Sequence, residues 1–356
     1  MNYALIMAGG VGTRLWPMSR ANRPKQALQL VGDRTMFQLS VDRLSPLFKP
    51  ESIFVVTRAE HAPILAAQVP ELPPANFIIE PEGRGTAPAI ALAAIHLRHF
   101  DPQAAMVVVT ADHYISKEKE FQRTLQAAIQ AAEEGHLVTL GISPSGPSTG
   151  YGYIQQGRQR GIAQDLAYYQ VERFTEKPDL ETARQMVQSG QYSWNSGMFI
   201  WRVERVLEEF ARQMPEFYAQ LEQVEKTLAT PAYENTLKHI WPRVAKQTID
   251  YGVMEGAKDV VVFPVDIGWS DIGSWASLLD LLPADAEGNI LNGPTLGIDT
   301  RDSLIFGKDR LIATIGVKGL VIVDTEDALL ICPKDREQEV REIVKRLADS
   351  GQERYL

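Results

Sequence analysis

The sequence is poor in the side chains that carry disulfide, zinc and nucleophilic chemistry. Its single cysteine, Cys332, rules out a disulfide within the chain. That thiol lies in the apolar run ALLIC, where cysteine ordinarily serves as a small core residue. The six histidines show neither H-x-x-x-H nor H-E-x-x-H spacing, which argues against a zinc site. No serine or cysteine stands in a triad context. A basic surface is lacking too. The net charge is −9, so no nucleic-acid partner is expected. Long apolar runs are also missing. The uncharged apolar stretch around residues 86–97 falls short of the ~20 residues that span a bilayer. The apolar start, Tyr3 to Ala8, is too short for a signal peptide and has no positive segment before it. The expectation is a cytoplasmic chain with no membrane partner.

What is present is ordinary globular material. Hydrophobic residues make up 45% and charged residues 23% of 356 positions. That length suggests two domains on the rule of one per ~150 residues. The runs YALIMA, SIFVVT, NFIIE and AMVVVT are short, β-branched and apolar on both faces, as in a parallel sheet covered by helices. Helical patterns separate them. Thr35 and Gln38 form a capping box ahead of Phe37, Val41, Leu44 and Phe48, and Thr86 can cap APAIALAAIHLRHF. The alternation predicts an α/β, Rossmann-like domain with a mostly parallel mixed sheet. In the middle, YYQVERF and GMFIWRV read as further strands, and residues 203–228 as one long helix. From Pro283 the character changes to short β runs with Gly, Asn and Asp turns, followed by a charged helix near 336–349. The expected division is a catalytic domain over residues 1–282 and a small β-rich module over 283–356.

The stretch MAGGVGTRLWPMSRANRPKQ carries the first chemical signal. Glycines 9, 10 and 12 follow a strand, and glycine lets backbone N–H groups approach phosphate closely. A dinucleotide fingerprint would need a third glycine where Leu15 stands, and no GK[ST] completes a Walker loop. The remaining arrangement is a loop with its own cations. Arg14 can grip phosphate oxygens with a planar fork, and Lys25 can place a compact charge on another phosphate. Two solvated surface cations on a glycine turn are the plain alternative.

At this point the motif resembles the signature of the sugar-1-phosphate nucleotidylyltransferases, and within them the mannose-1-phosphate guanylyltransferase (GDP-mannose pyrophosphorylase) family. The stretches EPEGRGTAPAI, TADHYI, TGYGYI, FTEKP, WNSGMFIWR, IDYGVME and GWSDIGSW resemble the same family, in family order, through Trp275. Met18, Ala27 and Thr110 depart from the usual residues without removing a polar group. The resemblance implies a transfer of GMP from GTP to mannose 1-phosphate with Mg2+. It makes Asp112 and Asp271 the metal ligands, although each also reads as a turn or helix-cap residue. Gly9, Gly10, Gly12, Thr13, Arg14 and Lys25 would bind the triphosphate, and Glu80, Gly85 and Thr86 the guanosine. Gly150, Glu176 and Asn195 would meet the sugar, and Lys177 its phosphate. A carboxylate accepting from vicinal hydroxyls beside an ammonium on phosphate is chemically sensible, though FTEKP also reads as an exposed ion pair.

Alternatives remain at this level. Another sugar phosphate or nucleotide, a catalytically silent sugar-nucleotide binder, and an NAD-dependent oxidoreductase are the rivals, the last disfavoured by Leu15. Longer members of the family append an isomerase domain of the cupin type, and no histidine follows His239, so no isomerase activity is expected here. The final module resembles the small left-handed β-helix of this family. A module so small buries little surface by itself, so it is expected to pack on the catalytic domain or on a second subunit, and a homodimer is expected.

Overall fold

The β-branched runs form strands where their pattern places them. The structure, a computed structural model, describes residues 1–10 and 12–356. The strands of the main sheet are β1 (Asn2–Ala8), β2 (Ile53–Arg58), β3 (Phe77–Glu80), β4 (Ala105–Thr110), β5 (Leu137–Ile142), β6 (Tyr153–Ala163), β7 (Leu166–Thr175), β8 (Tyr192–Arg202) and β9 (Val260–Val265). Their order is β3-β2-β1-β4-β8-β5-β9-β7-β6. The first four pair in parallel, while β8 lies antiparallel to both β4 and β5. The sheet is therefore mixed, and its parallel part is the part whose strands are apolar on both faces.

The chain forms two compact units drawn from interleaved segments. The larger comprises Met1–Gly9, Ser40–Ala111 and Ile115–Trp269. In its core Leu5, Val56, Val108 and Phe199 of the sheet pack with Ile90, Ala94 and Leu97 of the helix Thr86–Phe100. Each such buried Leu, Ile, Val or Phe side chain contributes about 1.5–3 kcal/mol over its exposed state. Thr86 does not cap this helix. Gly85 is the capping residue, and the Thr86 hydroxyl instead accepts the Ile249 N–H at 2.8 Å. The expected helix over 203–228 is two helices, Val203–Gln213 and Pro215–Glu225. Pro215 explains the break, because a residue before proline is pushed out of the helical region, and Met214 sits at φ −130°.

The smaller unit comprises Gly10–Leu39, Asp112–Tyr114 and Ser270–Leu356. Leu15, Trp16, Leu28 and Met36 share one core with Trp275, Leu304, Val321 and Val340. The Trp16 indole donates to the Tyr355 carbonyl at 2.7 Å, and the Trp275 indole to the Trp16 carbonyl at 3.2 Å. The capping box is present, with Thr35 N–H on Gln38 Oε1 at 3.0 Å and Gln38 N–H on Thr35 Oγ1 at 3.2 Å. The short C-terminal runs stack as parallel coils. Strand β10 (Ile290–Asn292) pairs with β12 (Leu304–Phe306), and β12 with β14 (Leu320–Asp324). Alongside them β11 (Thr295–Ile298) pairs in parallel with β13 (Ile312–Ile315). Strand β15 (Leu329–Pro333) closes the stack antiparallel to β14. The register places Ile290, Leu304 and Val321 one above another, all buried. Cys332 is half-buried, and burial pushes its thiol up. A 3-10 turn, Lys334–Glu339, precedes the terminal helix Val340–Asp349.

Candidate active site

The smaller unit holds a cavity of 410 Å3 built around the first glycine loop. Gly12 starts it. Its φ of +76° favours glycine, and a Cβ there would lie 2.5 Å from the Lys25 Cβ. The backbone can thus turn into Thr13–Leu15 while Lys25 passes against it. Ser19 Oγ donates to the Gly12 carbonyl at 2.7 Å and holds the turn. Leu15 is buried, which fixes Arg14 at the cavity, where its guanidinium donates to the Gly273 carbonyl at 3.4 Å.

Lys25 opens a second tight turn, Lys25–Ala27, after the extended Pro24. Its side chain is only 7% exposed. The ammonium donates to Asp112 Oδ2 at 2.9 Å and to the Asp271 carbonyl at 2.5 Å. Burial raises the Asp112 pKa, but the charges of Lys25 and His113 and the Lys25 hydrogen bond outweigh it. The carboxyl stays below its ordinary range and ionised. Asp271 accepts the Gly273 N–H at 3.1 Å. The following helix, Trp275–Leu281, begins at Ser274 with no side-chain cap, so Asp271 is not its cap. Gly12, Thr13, Arg14, Lys25, Asp112 and Asp271 all line the cavity, together with Leu15, His113, Gly273 and Arg341. Gly9 and Gly10 are exposed beyond the end of β1 and do not line it. Among the described residues no group of three metal-ligating side chains occurs, so any cation here would rest on the two aspartates and on ligand oxygens.

The larger unit carries the other expected residues. Glu80 is 5% exposed and accepts the Arg84 N–H at 2.8 Å; burial raises its pKa against the pull of that bond. Gly85, at φ +95°, lies so close to the Gln247 carbonyl that a Cβ would come within 2.2 Å of its oxygen. With the Thr86 bond to Ile249, this ties the loop 80–86 to the segment 247–249. Lys177 adopts φ +43°, and its ammonium donates to Glu176 Oε1 at 2.5 Å. Asn195 donates its side-chain N–H to Asp250 Oδ1 at 2.6 Å and its backbone N–H to the Gly152 carbonyl at 2.8 Å. Gly150 is exposed, and its N–H is turned to Ser148 Oγ at 3.2 Å.

Two carboxylates that the motifs did not single out stand near this group. Burial raises the Asp250 pKa, and the Glu176 charge adds to it. Burial also raises Glu255, with the charges of Asp250 and Glu176 in support. Glu176, Asp250 and Glu255 together place carboxyl groups on a surface suited to meet hydroxyl hydrogens. Asp250 and Glu255 both belong to IDYGVME. The signal was therefore in the sequence, but nothing in it tied Asp250 to Asn195.

Comparison with known proteins gives this geometry a family. The nucleotidyl transferase family model matches residues 3–288. The curated mannose-1-phosphate guanylyltransferase of Escherichia coli strain K12 is 41% identical over 99% of this chain and 75% of its own. The chain belongs to the mannose-1-phosphate guanylyltransferase family. ManC of Salmonella typhimurium, a mannose-1-phosphate guanylyltransferase, is likewise 41% identical over 99% of this chain and 74% of its own. A solved structure described as a mannose-1-phosphate geranyltransferase from Thermus thermophilus superposes with a TM-score of 0.88 at 35% identity, covering 98% of this chain and 99% of that one. Residues 293–347 match the MannoseP isomerase/GMP-like beta-helix domain, in agreement with the stacked coils. As a member of this guanylyltransferase family the chain is an enzyme, a nucleotidyltransferase with a C-terminal β-helix-like domain.

Proposed function

We propose that the enzyme transfers GMP from GTP to mannose 1-phosphate, giving GDP-mannose and pyrophosphate. The observation that carries this reading is the Lys25 ammonium, held by both the Asp112 carboxylate and the Asp271 carbonyl at a glycine-turned cavity. A sugar-phosphate oxygen attacks the α-phosphorus in line. The new P–O bond forms as the bond to the β-phosphate oxygen breaks, and pyrophosphate leaves with the electron pair. The protein's part is positioning and charge neutralisation rather than covalent catalysis. Arg14 and Lys25 hold the triphosphate and neutralise the departing pyrophosphate. Glu176 and Asn195 accept and donate to sugar hydroxyls, and Lys177 offsets the charge of the sugar phosphate. Glu80, Gly85 and Thr86 shape the contact with the guanosine.

Two hard carboxylate side chains suit magnesium, which takes one or two such ligands and completes its shell with phosphate oxygens and water. Lys25, a cation already seated on Asp112, supports the fit. Bound by Asp112 and Asp271, magnesium would supply further charge neutralisation to the phosphate oxygens.

The enzyme works as a cytoplasmic homodimer in this reading. Exposed apolar side chains on the parallel pair β11–β13 support the dimer: Ile298 and Ile315 sit opposite each other and are 58% and 74% exposed. The deciding experiment is a panel of four nucleotides and several sugar phosphates, read by pyrophosphate release in magnesium. GTP with mannose 1-phosphate is expected to be the preferred pair. A tenfold or greater preference for ATP or dTTP refutes the guanylyl assignment.

A further inference from the structure

No step of the proposed reaction uses the helix Val340–Asp349, yet its first turn reaches the cavity. The helix packs against the turn Thr13–Leu15. The two elements share their anchoring. Leu15 and Val340 are 1% and 2% exposed and belong to one core. Their chain neighbours, Arg14 and Arg341, both line the cavity that holds Lys25, Asp112 and Asp271. An apolar residue fixed in the core thus sets an adjacent guanidinium at the cavity, twice, from opposite ends of the sequence.

The charges already there give Arg341 its part. The positive charges of Arg14 and Lys25 are matched by Asp112 and Asp271 before any ligand arrives. Lys25 is committed to Asp112 and to the Asp271 carbonyl. A nucleoside triphosphate adds several negative charges. Among the described residues the Arg341 side chain makes no hydrogen bond or ion pair. Arg346 of the same helix, by contrast, is paired with Glu342 at 3.0 Å. Arginine matches phosphate with a planar fork of donors and is always charged.

We propose that Arg341, delivered by the C-terminal β-helix domain, is a third phosphate-binding cation that grips the β,γ-phosphates of the nucleotide and the pyrophosphate product. This rests on the nucleotidyl-transfer reading above. It gives the β-helix domain a direct place in catalysis. It also implies that product release waits on a contact from the last helix.

The test uses the full chain with inorganic pyrophosphate and magnesium as the probe. Binding is measured by titration calorimetry, alongside steady-state kinetics. Arg341→Ala is expected to weaken pyrophosphate binding and raise the nucleotide KM about tenfold, the scale of one charge-assisted contact. The mannose 1-phosphate KM should stay within about twofold, and Arg341→Lys, which keeps the charge but not the fork, should recover only part of the loss. Arg346→Ala, a cation of the same helix away from the cavity, should match the wild type. Arg341→Ala with unchanged pyrophosphate affinity overturns the inference. An equal loss in Arg346→Ala overturns it as well, since the effect would then be a general one of helix charge. A wild-type preference for another nucleotide refutes the guanylyl assignment alone, because every nucleoside triphosphate yields pyrophosphate. A wild-type chain that binds no pyrophosphate refutes both.

Discussion

Lys25 is buried beside two aspartates, and its roles can be separated from theirs by substitution. On the proposed reaction, Lys25→Ala removes an electrostatic contact whose value grows as pyrophosphate leaves. We expect kcat to fall about a hundredfold, as when one preorganised donor is lost from an active site. The mannose 1-phosphate KM should change little. Unchanged kcat with only a raised KM for the sugar phosphate would move Lys25 out of the triphosphate site. Asp112→Asn and Asp271→Asn keep size but lose the charge that a hard cation needs. Each should cut turnover at least about tenfold at limiting magnesium. Circular dichroism should show both variants folded. Wild-type rates at limiting magnesium in either variant would take that residue off the metal. The candidates themselves came from the sequence, because the aspartates and loop cations occur in recognisable stretches. The Asn195–Asp250 bond at 2.6 Å was not, since the two side chains lie 55 positions apart.

At the scale of elements, the helices Thr86–Phe100 and Tyr233–Ile240 meet through one polar contact. His96 Nε2 and the Tyr233 hydroxyl are 2.8 Å apart, and the rings form an edge contact at 5.4 Å. Burial first, and the His99 charge second, push the His96 pKa down to about 4. Burial pushes the Tyr233 hydroxyl up to about 12. In the unfolded chain His96 takes a proton near its ordinary pKa of about 6.5. The native state therefore stays neutral where the unfolded state is charged. Stability is full above about pH 6.5, falls as pH drops toward 4, and levels off below that. At pH 5 the loss from this one group is about 2 kcal/mol. Urea denaturation at pH 7 and pH 5 checks it. His96→Gln, which can still hydrogen-bond Tyr233, should show a drop smaller by that amount. An identical drop in both proteins would remove His96 as the cause. The helix over Thr86–Phe100 was readable in the sequence, whereas that over Tyr233–Ile240 was not singled out there. The break at Met214–Pro215 was also written in the sequence, in a proline that forbids continuation.

For the whole molecule the prediction concerns assembly. Removing everything after Leu282 would strip Leu15, Leu28 and Met36 of their core partners Leu304, Val321 and Val340, so a truncated chain is a poor probe. A surface substitution is cleaner. Light scattering on the full chain at micromolar concentration should give twice the chain mass. Ile315→Asp should return it to the monomer, because a charge in a buried apolar contact is costly. A monomeric wild-type chain rejects the dimer. A dimeric Ile315→Asp chain moves the contact elsewhere.

The sequence by itself determined the elements and the chemical inventory. Period and β-branching made the strands, glycine and proline set the turns, and the phosphate-loop, aspartate and lysine stretches named a nucleotidyltransferase. These are local properties, written within a few residues of one another. Only the tertiary structure decided which distant stretches share one core. Loop 10–39, residues 112–114 and the chain from Ser270 onward become a single compact unit. Arg14 and Arg341, more than three hundred positions apart, thereby line one cavity. Burial of Leu15 and Val340 together drives that meeting, and hydrophobic burial is non-directional. No local pattern specifies which apolar partner a side chain will find, so the neighbours of a charged group are fixed only when the chain is folded.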